Sequence, residues 1–133
     1  MRINSVQNSA AFGQLQVRSR DIYYLNESKL KSCEKQLANT KFVDVILDSQ
    51  GFAIKDKMTD ILHRIQSFSL FPQDKAVGIR MIDEEAPAYL LNYSTKDQAK
   101  NEWQSLCELT SKTSLDLYTK VALWLDEKLV TKN

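Results

Sequence analysis

Two aspartates of the chain stand at a spacing that could support chemistry. Asp44 and Asp48 are four residues apart in the run 41–48, whose β-branched and aromatic residues predict a strand, so both side chains should lie on one face. Asp56 is expected across a hairpin from them. Paired carboxylates can transfer protons or hold a hard cation, so one hypothesis is a carboxylate-based small enzyme or a cation-binding domain that uses Asp44 and Asp48. The same alternation is typical of the solvent face of a sheet, and we favour that interpretation.

The other residues that could carry chemistry are few. His63 is the single histidine and has no cluster of ligand residues beside it in the sequence. Cys33 and Cys107 form no CxxC or Cys/His pattern, and both fall on apolar helical stripes, so we predict two reduced, buried thiols. The three glycines are too far apart for a phosphate-binding loop. We therefore predict a protein that is not an enzyme and that binds no cofactor and no metal.

The C-terminal helix has more apolar surface than a core contact needs. It is predicted from about 115 to 130, and most of its apolar residues form one stripe: Tyr118, Val121, Ala122, Leu125 and Leu129. Leu117 and Trp124 lie outside that stripe, so the apolar arc covers about half of the circumference, against the ~100° that a surface helix needs.

This helix suggests a function. We predict a non-enzymatic protein-interaction module that presents its C-terminal helix to a protein partner or to a second copy of the chain. The binding residues would be Leu117, Trp124 and Val121, because an aromatic residue inside an apolar patch can anchor an interface. The alternative is a helix wedged between a sheet and a neighbouring helix, without an exposed apolar flank.

Two β-hairpins are predicted to frame these residues. The first covers about 41–58 and turns at Ser49, Gln50 and Gly51, and the second covers about 76–94 around an acidic loop. A short helix is expected between them, ending before Pro72 and carrying four apolar residues at helical spacing: Ile61, Leu62, Ile65 and Phe68.

Three longer helices complete the predicted architecture. The first is expected near 20–39 with Ser19 as its cap, the second near 96–111 behind a capping box that begins at Thr95, and the third is the C-terminal helix. The fold class is then α+β, with two β-hairpins forming a mostly antiparallel four-stranded sheet packed by the three longer helices. Residues 1–18 are predicted to be a flexible N-terminal segment, and 19–133 a single domain.

Composition narrows the classes of partner. The formal net charge is +1, with 18 basic and 17 acidic residues, and that balance favours neither nucleic acid nor a membrane surface as a partner. No apolar run is long enough for a signal peptide or a membrane span. Together with the unpaired cysteines, these features predict a cytoplasmic protein.

Two resemblances accompany these patterns. The beginning of the chain is similar to that of various small uncharacterised bacterial proteins, in the residues Ile3-Asn4-Ser5-Val6 and Phe12-Gly13-Gln14-Leu15-Gln16-Val17. This resemblance implies a bacterial origin and carries no activity. The order of elements is also similar to that of the dimeric type III secretion chaperones, which would imply a homodimer, although those proteins are usually acidic and this chain is neutral.

Overall fold

The computed structural model describes residues 12–18, 26–82, 88–108 and 111–132, and all elements named below lie in those ranges. The strands are β1 (Leu15–Val17), β2 (Val43–Asp48), β3 (Gly51–Asp56), β4 (Ile61–His63), β5 (Ile65–Phe71), β6 (Ala76–Met81) and β7 (Ala88–Asn92). The helices are α1 (Glu27–Leu37), α2 (Lys96–Cys107) and α3 (Ser111–Lys132), with a short 3₁₀ turn at Pro72–Asp74. The chain is therefore α+β, as predicted. None of these helices combines the length and the apolar character that a membrane span requires.

The strands form two sheets, where the sequence predicted one sheet of four strands. One sheet has the order β1-β2-β3-β4 and the other has the order β5-β6-β7. Both predicted hairpins are present, as β2–β3 and β6–β7, and they lie in different sheets. The single-sheet prediction was wrong because the two strands that separate the hairpins, β4 and β5, were assigned to a helix. β1 joins the first sheet as a parallel partner of β2.

Residues 61–71 form strands in place of the predicted short helix. The helical spacing of four apolar residues competes there with a second pattern, since polar residues alternate with Phe68 and Leu70 along β5. Asp60 has a positive φ of 63°, which turns the chain directly before β4 and rules out a helix start. Pairing with β3 and β6 then outweighs the local preference.

Side-chain caps define where two of the helices begin. The Asn26 side chain accepts hydrogen bonds from the backbone N–H groups of Ser28 and Lys29, so α1 begins at Glu27. The predicted cap at Ser19 lies outside the described residues. The predicted cap at Thr95 is confirmed at α2, where Thr95 Oγ1 accepts from the Gln98 N–H at 3.1 Å. Gln98 Oε1 accepts from the Ser94 N–H, one residue before the Thr95 N–H that a full capping box would use.

The core lies between the sheets and the helices. α3 packs on α1 and on strands β2 and β3, whereas α2 packs on β5, β6 and the 3₁₀ turn. Asp126 of α3 is buried, and its Oδ1 accepts from the backbone N–H groups of Lys41 (2.9 Å) and Phe42 (2.7 Å) at the start of β2. The C-terminal helix is thus tied to the first sheet by hydrogen bonds as well as by apolar contact.

Candidate functional site

A cleft of about 630 Å³ opens between the two sheets. Its size is typical of a ligand site. Its walls are formed by residues of β2, β3 and the turn between them, of β5 and the residue before it, of the position after β6, and of the first half of α3. These residues are Leu47, Gln50, Gly51, Phe52, Arg64, Ile65, Gln66, Ser67, Phe68, Ile82, Ser114, Leu117 and Tyr118. The large side chains are mostly apolar, and Ile82 at the margin is 61% exposed. The arrangement suits an apolar ligand that arrives from solvent.

The cleft lies where one strand ladder stops early. β3 pairs with β2 along its whole length, Gly51 to Asp56, but it pairs with β4 only from Ile54 to Asp56. The last pair on the β4 side is Ile54–His63. Two residues further in that register, Phe52 would stand opposite Ile65, but no described strand lies beside β3 there. The sheet parts at this position, and both residues line the cleft.

The backbone groups of Phe52 and Ile65 face this opening. Lys57 N–H donates to Phe42 O, directly before β2, and because direction alternates along the chain of β3, Phe52 faces away from β2. On the other wall, Ile82 N–H donates to Arg64 O, so Arg64 faces β6 and Ile65 faces away from it. The two residues therefore present their N–H and C=O groups to the cleft from opposite sides.

Two side chains take the hydrogen bonds that a continued ladder would have made. Arg64 Nη1 donates to Phe52 O at 3.2 Å, and the Ile65 N–H donates to Tyr118 Oη at 2.9 Å. A continued ladder would instead have joined the Ile65 N–H to Phe52 O. Arg64 and Tyr118 thus satisfy one acceptor and one donor that would otherwise be left without a partner at the point where the sheet opens.

Arg64 is itself held by an ion pair. Its Nη2 lies 2.7 Å from Asp48 Oδ2, and Asp48 Oδ1 accepts from the Gln50 N–H at 2.9 Å. The hydrogen bond from Arg64, together with the bond from Gln50, lowers the pKa of Asp48 below its ordinary value. Asp48 consequently stays ionised at neutral pH and holds the guanidinium in place.

The floor of the cleft comes from α3. Leu117 and Tyr118 both line it, and the ring of Tyr118 packs against Phe52 with 5.7 Å between centroids and an interplanar angle of 37°. Burial raises the pKa of Tyr118, partly offset by the hydrogen bond from Ile65. The phenol therefore keeps its proton at neutral pH while its oxygen accepts from the β5 backbone.

The binding residues predicted on the C-terminal helix lie in different environments. Leu117 is 3% exposed and Val121 is 0% exposed, so neither lies on an exposed flank of α3. Trp124 is half-buried, with the Lys128 ammonium 5.6 Å from its ring centroid. The expectation that Leu117 turns away from the core was wrong, because α3 packs against α1 on one side and the first sheet on another. The structure brings Leu117 to the cleft, but neither Val121 nor Trp124 is among the cleft residues.

The predicted carboxylate pair is divided between two separate networks. Asp44 is 2% exposed and accepts from the Gln14 N–H (2.9 Å) and from Gln16 Nε2 (2.8 Å), with Lys57 Nζ at 3.6 Å. A solvent-facing position was therefore the wrong expectation for Asp44, because β1 covers this side of β2 with polar partners. Asp48 binds Arg64 instead. Neither aspartate lines the cleft, and no metal-binding group of three His, Cys, Asp or Glu residues occurs in the described part of the chain.

The cysteines and the histidine are not among the residues that line the cleft. Cys33 is buried and accepts a hydrogen bond from Thr119 Oγ1, and burial raises the pKa of its thiol to about 11. Cys107 is exposed, which corrects the expectation of two buried thiols, since it is the last residue of α2 and points off the packed side. His63 belongs to β4 and not to a helix.

Arg64, Phe68 and Tyr118 are cleft residues to which sequence reasoning gave no functional role. Tyr118 was placed on a core stripe, and Phe68 on a helix that does not form. Only the alternation along β5 could have indicated a strand edge here. Comparisons with protein-family models, with curated proteins and with solved structures each found no match.

Proposed function

We propose that this chain is a non-enzymatic protein-interaction module whose cleft receives apolar side chains of a partner protein. The observation that carries the proposal is a cleft with mainly apolar large side chains, open to solvent, at a place where the strand ladder stops. α3 remains part of the binding surface, through Leu117 on the cleft floor, in place of an outward-facing flank.

The chemistry of the cleft favours binding over catalysis. Arg64 is neutralised by Asp48, whose pKa is lowered, so this carboxylate is a poor proton donor or acceptor near neutral pH. Ser67 and Ser114 line the cleft, and the described lining residues include neither a histidine nor a carboxylate to activate them. Asp44 is held by donors from β1 and lies elsewhere. The carboxylate enzyme and the cation site therefore have no support from this geometry.

A matched pair of isoleucine variants tests the proposal. Ile82 lies at the cleft and Ile61 lies on β4 outside it, and both are exposed, at 61% and 47%. Ile82→Glu and Ile61→Glu should each leave stability nearly unchanged, because the side chains are already solvated. Only Ile82→Glu places a charge where an apolar partner would bind.

The probe is a set of linear peptides selected on the immobilised wild-type chain from a random displayed library and then synthesised. Their Kd is measured by fluorescence anisotropy against both variants. Burying one large apolar side chain is worth about 1.5–3 kcal/mol, so Ile82→Glu should weaken binding about 10- to 100-fold while Ile61→Glu should not. Equal affinity for both variants, or a library that yields no specific binder, would contradict the proposal.

Self-association is the competing use of an apolar surface and is measured on the same samples. Sedimentation of the wild-type chain, Ile82→Glu and Trp124→Glu separates the two surfaces. We expect the wild-type chain to stay monomeric at concentrations where it binds peptide. A dimer that Trp124→Glu dissociates, and Ile82→Glu does not, would favour the helix-flank dimer over the cleft.

A further inference from the structure

We propose that the partner enters the cleft as an extended segment that adds a β-strand beside β5 at the β3–β5 opening. The inference rests on the proposed function and names the class of ligand: a polypeptide in β conformation with apolar residues at alternate positions. The observation behind it is the direction of the backbone groups on the two walls.

The β5 wall offers a strand edge over the length of the cleft. β5 pairs with β6 on one side, and among the described residues no strand pairs with Ile65–Phe68 on the other. The register with β6 passes from Ile65–Met81 to Ser67–Arg80, so Gln66 is an extra residue and the strand has a bulge there. Counting onward from the bulge, Phe68 is the next residue after Ile65 whose N–H and C=O point into the cleft.

The β3 wall supplies a matching group. Phe52 faces the cleft with its O bonded to Arg64, and its N–H points the same way. The Ile65 N–H is bonded to Tyr118 Oη. Within the described ranges no strand pairs with this edge of β5, so the Ile65 C=O and both backbone groups of Phe68 remain for an incoming chain. Donors and acceptors therefore remain on both sides of the same opening.

These groups favour a strand over other apolar ligands. A helix satisfies its own backbone and would leave the wall groups without partners, and a fatty acyl chain has no donors or acceptors along its length. An extended peptide supplies N–H and C=O groups at strand spacing and projects alternate side chains toward one face. That face would be the apolar floor formed by Leu117 and Tyr118.

Arg64 and Tyr118 also explain why β3 and β5 do not pair with each other across the opening. Arg64 already donates to Phe52 O, and Tyr118 already accepts from the Ile65 N–H. Pairing β3 directly with β5 would therefore replace these hydrogen bonds and add few new ones. Exposed strand edges can pair with unintended chains. Because Arg64 and Tyr118 already bind two of the edge groups, pairing is limited to a ligand that also fits the cleft.

The test is residue-resolved amide hydrogen exchange on the full chain, alone and saturated with the tightest-binding library peptide. The Phe52 and Phe68 amides should exchange at least about tenfold more slowly in the complex. Ser69 faces β6 in the same register and is the internal control, since its amide should be protected equally in both states.

A second arm uses the same peptide with one backbone N-methyl group placed at each position in turn. N-methylation removes a donor without changing a side chain. Affinity should fall with a period of two, because alternate residues of the peptide face β5.

The outcomes separate the two proposals. A peptide that binds and is sensitive to Ile82→Glu, but protects neither Phe52 nor Phe68 and shows no alternation, would overturn the strand inference and leave the interaction module standing. Protection of both amides with the alternating N-methyl profile would support it. If no peptide binds, or if the cleft is filled only by a second copy of the chain, both proposals are wrong.

Discussion

The two edges of β3 differ in how many of their residues pair with a neighbouring strand. On the β2 side, each residue from Gly51 to Asp56 has a ladder partner, whereas on the other side pairing ends at Ile54. The β2 side has further hydrogen bonds: Asp126 of α3 accepts from the backbone directly before β2, and donors from the β1 segment bind Asp44. On the other side, side chains replace the ladder, and a cleft opens. The comparison indicates that contacts on the β2 side contribute most to stability, whereas the proposed binding uses the opening on the other side.

Gly13 gives the largest expected effect on the β2 side. Its N–H donates to Thr40 O at 3.1 Å, and an added Cβ would lie 1.9 Å from Thr40 Oγ1 and 2.6 Å from Val43 O. Since one of these atoms is backbone, the chain must shift, and Gly13→Ala should lower the free energy of unfolding by about 3 kcal/mol in urea titrations.

Gly51 is the matched control for this substitution. It has a φ of 107° and nothing within 4 Å of an added Cβ, so Gly51→Ala should cost only backbone strain, about 1–2 kcal/mol. A larger loss for Gly51→Ala than for Gly13→Ala would show that the packing beside β1 is looser than the distances around Gly13 indicate.

Asp126 tests the link between α3 and β2. Asp126→Ala removes the acceptor of the Lys41 and Phe42 amides in a partly buried site, so we expect a loss of about 2–3 kcal/mol in the free energy of unfolding. Asp126→Asn keeps one acceptor oxygen and should retain part of that stability. Equal losses for the two variants would mean that the negative charge, and not the hydrogen bonding, is what the site requires.

Tyr118 gives a smaller effect because it lies at the opening. Tyr118→Phe keeps the ring contact with Phe52 and removes the acceptor of the Ile65 N–H, so stability should fall by about 1 kcal/mol. The Ile65 amide should exchange faster in the variant. Unchanged exchange at Ile65 would mean that another group replaces the phenol and would weaken the account of the cleft.

Asp48 gives the smallest effect, and it depends on pH. Its pKa is lower in the folded chain than its ordinary value of 3.8, so its contribution to stability is present above pH 4 and is lost as pH falls through the folded pKa. Asp48→Asn lacks this contribution at every pH. The urea midpoints of the wild-type chain and Asp48→Asn should therefore differ most near neutral pH and converge on acidification. A constant difference from pH 7 to pH 3 would show that Arg64 does not stabilise the ionised carboxylate.

Some parts of the candidate site could be predicted from the sequence and others could not. The β2–β3 hairpin that forms one wall was predicted, because the turn residues and the alternation act over a few positions. The β5 wall was missed, since apolar residues between Ile61 and Phe68 fit both a helix and a strand. Leu117 was predicted to bind from an exposed flank of α3, but it is buried and lines the cleft. A helical wheel cannot predict this position, because it does not show that α3 packs against both α1 and the first sheet.

What the sequence by itself determined are features with short-range causes: the α+β class, the two hairpins, the cap at Thr95 before α2 and the long C-terminal helix. The strands at 61–71 and the division into two sheets were decided only by tertiary structure. The same holds for the ladder that stops at Ile54–His63. A turn or a cap is stabilised within one local segment. Whether a strand edge is paired depends instead on which distant segments lie beside it and on which side chains, here Arg64 and Tyr118, hydrogen-bond its backbone groups.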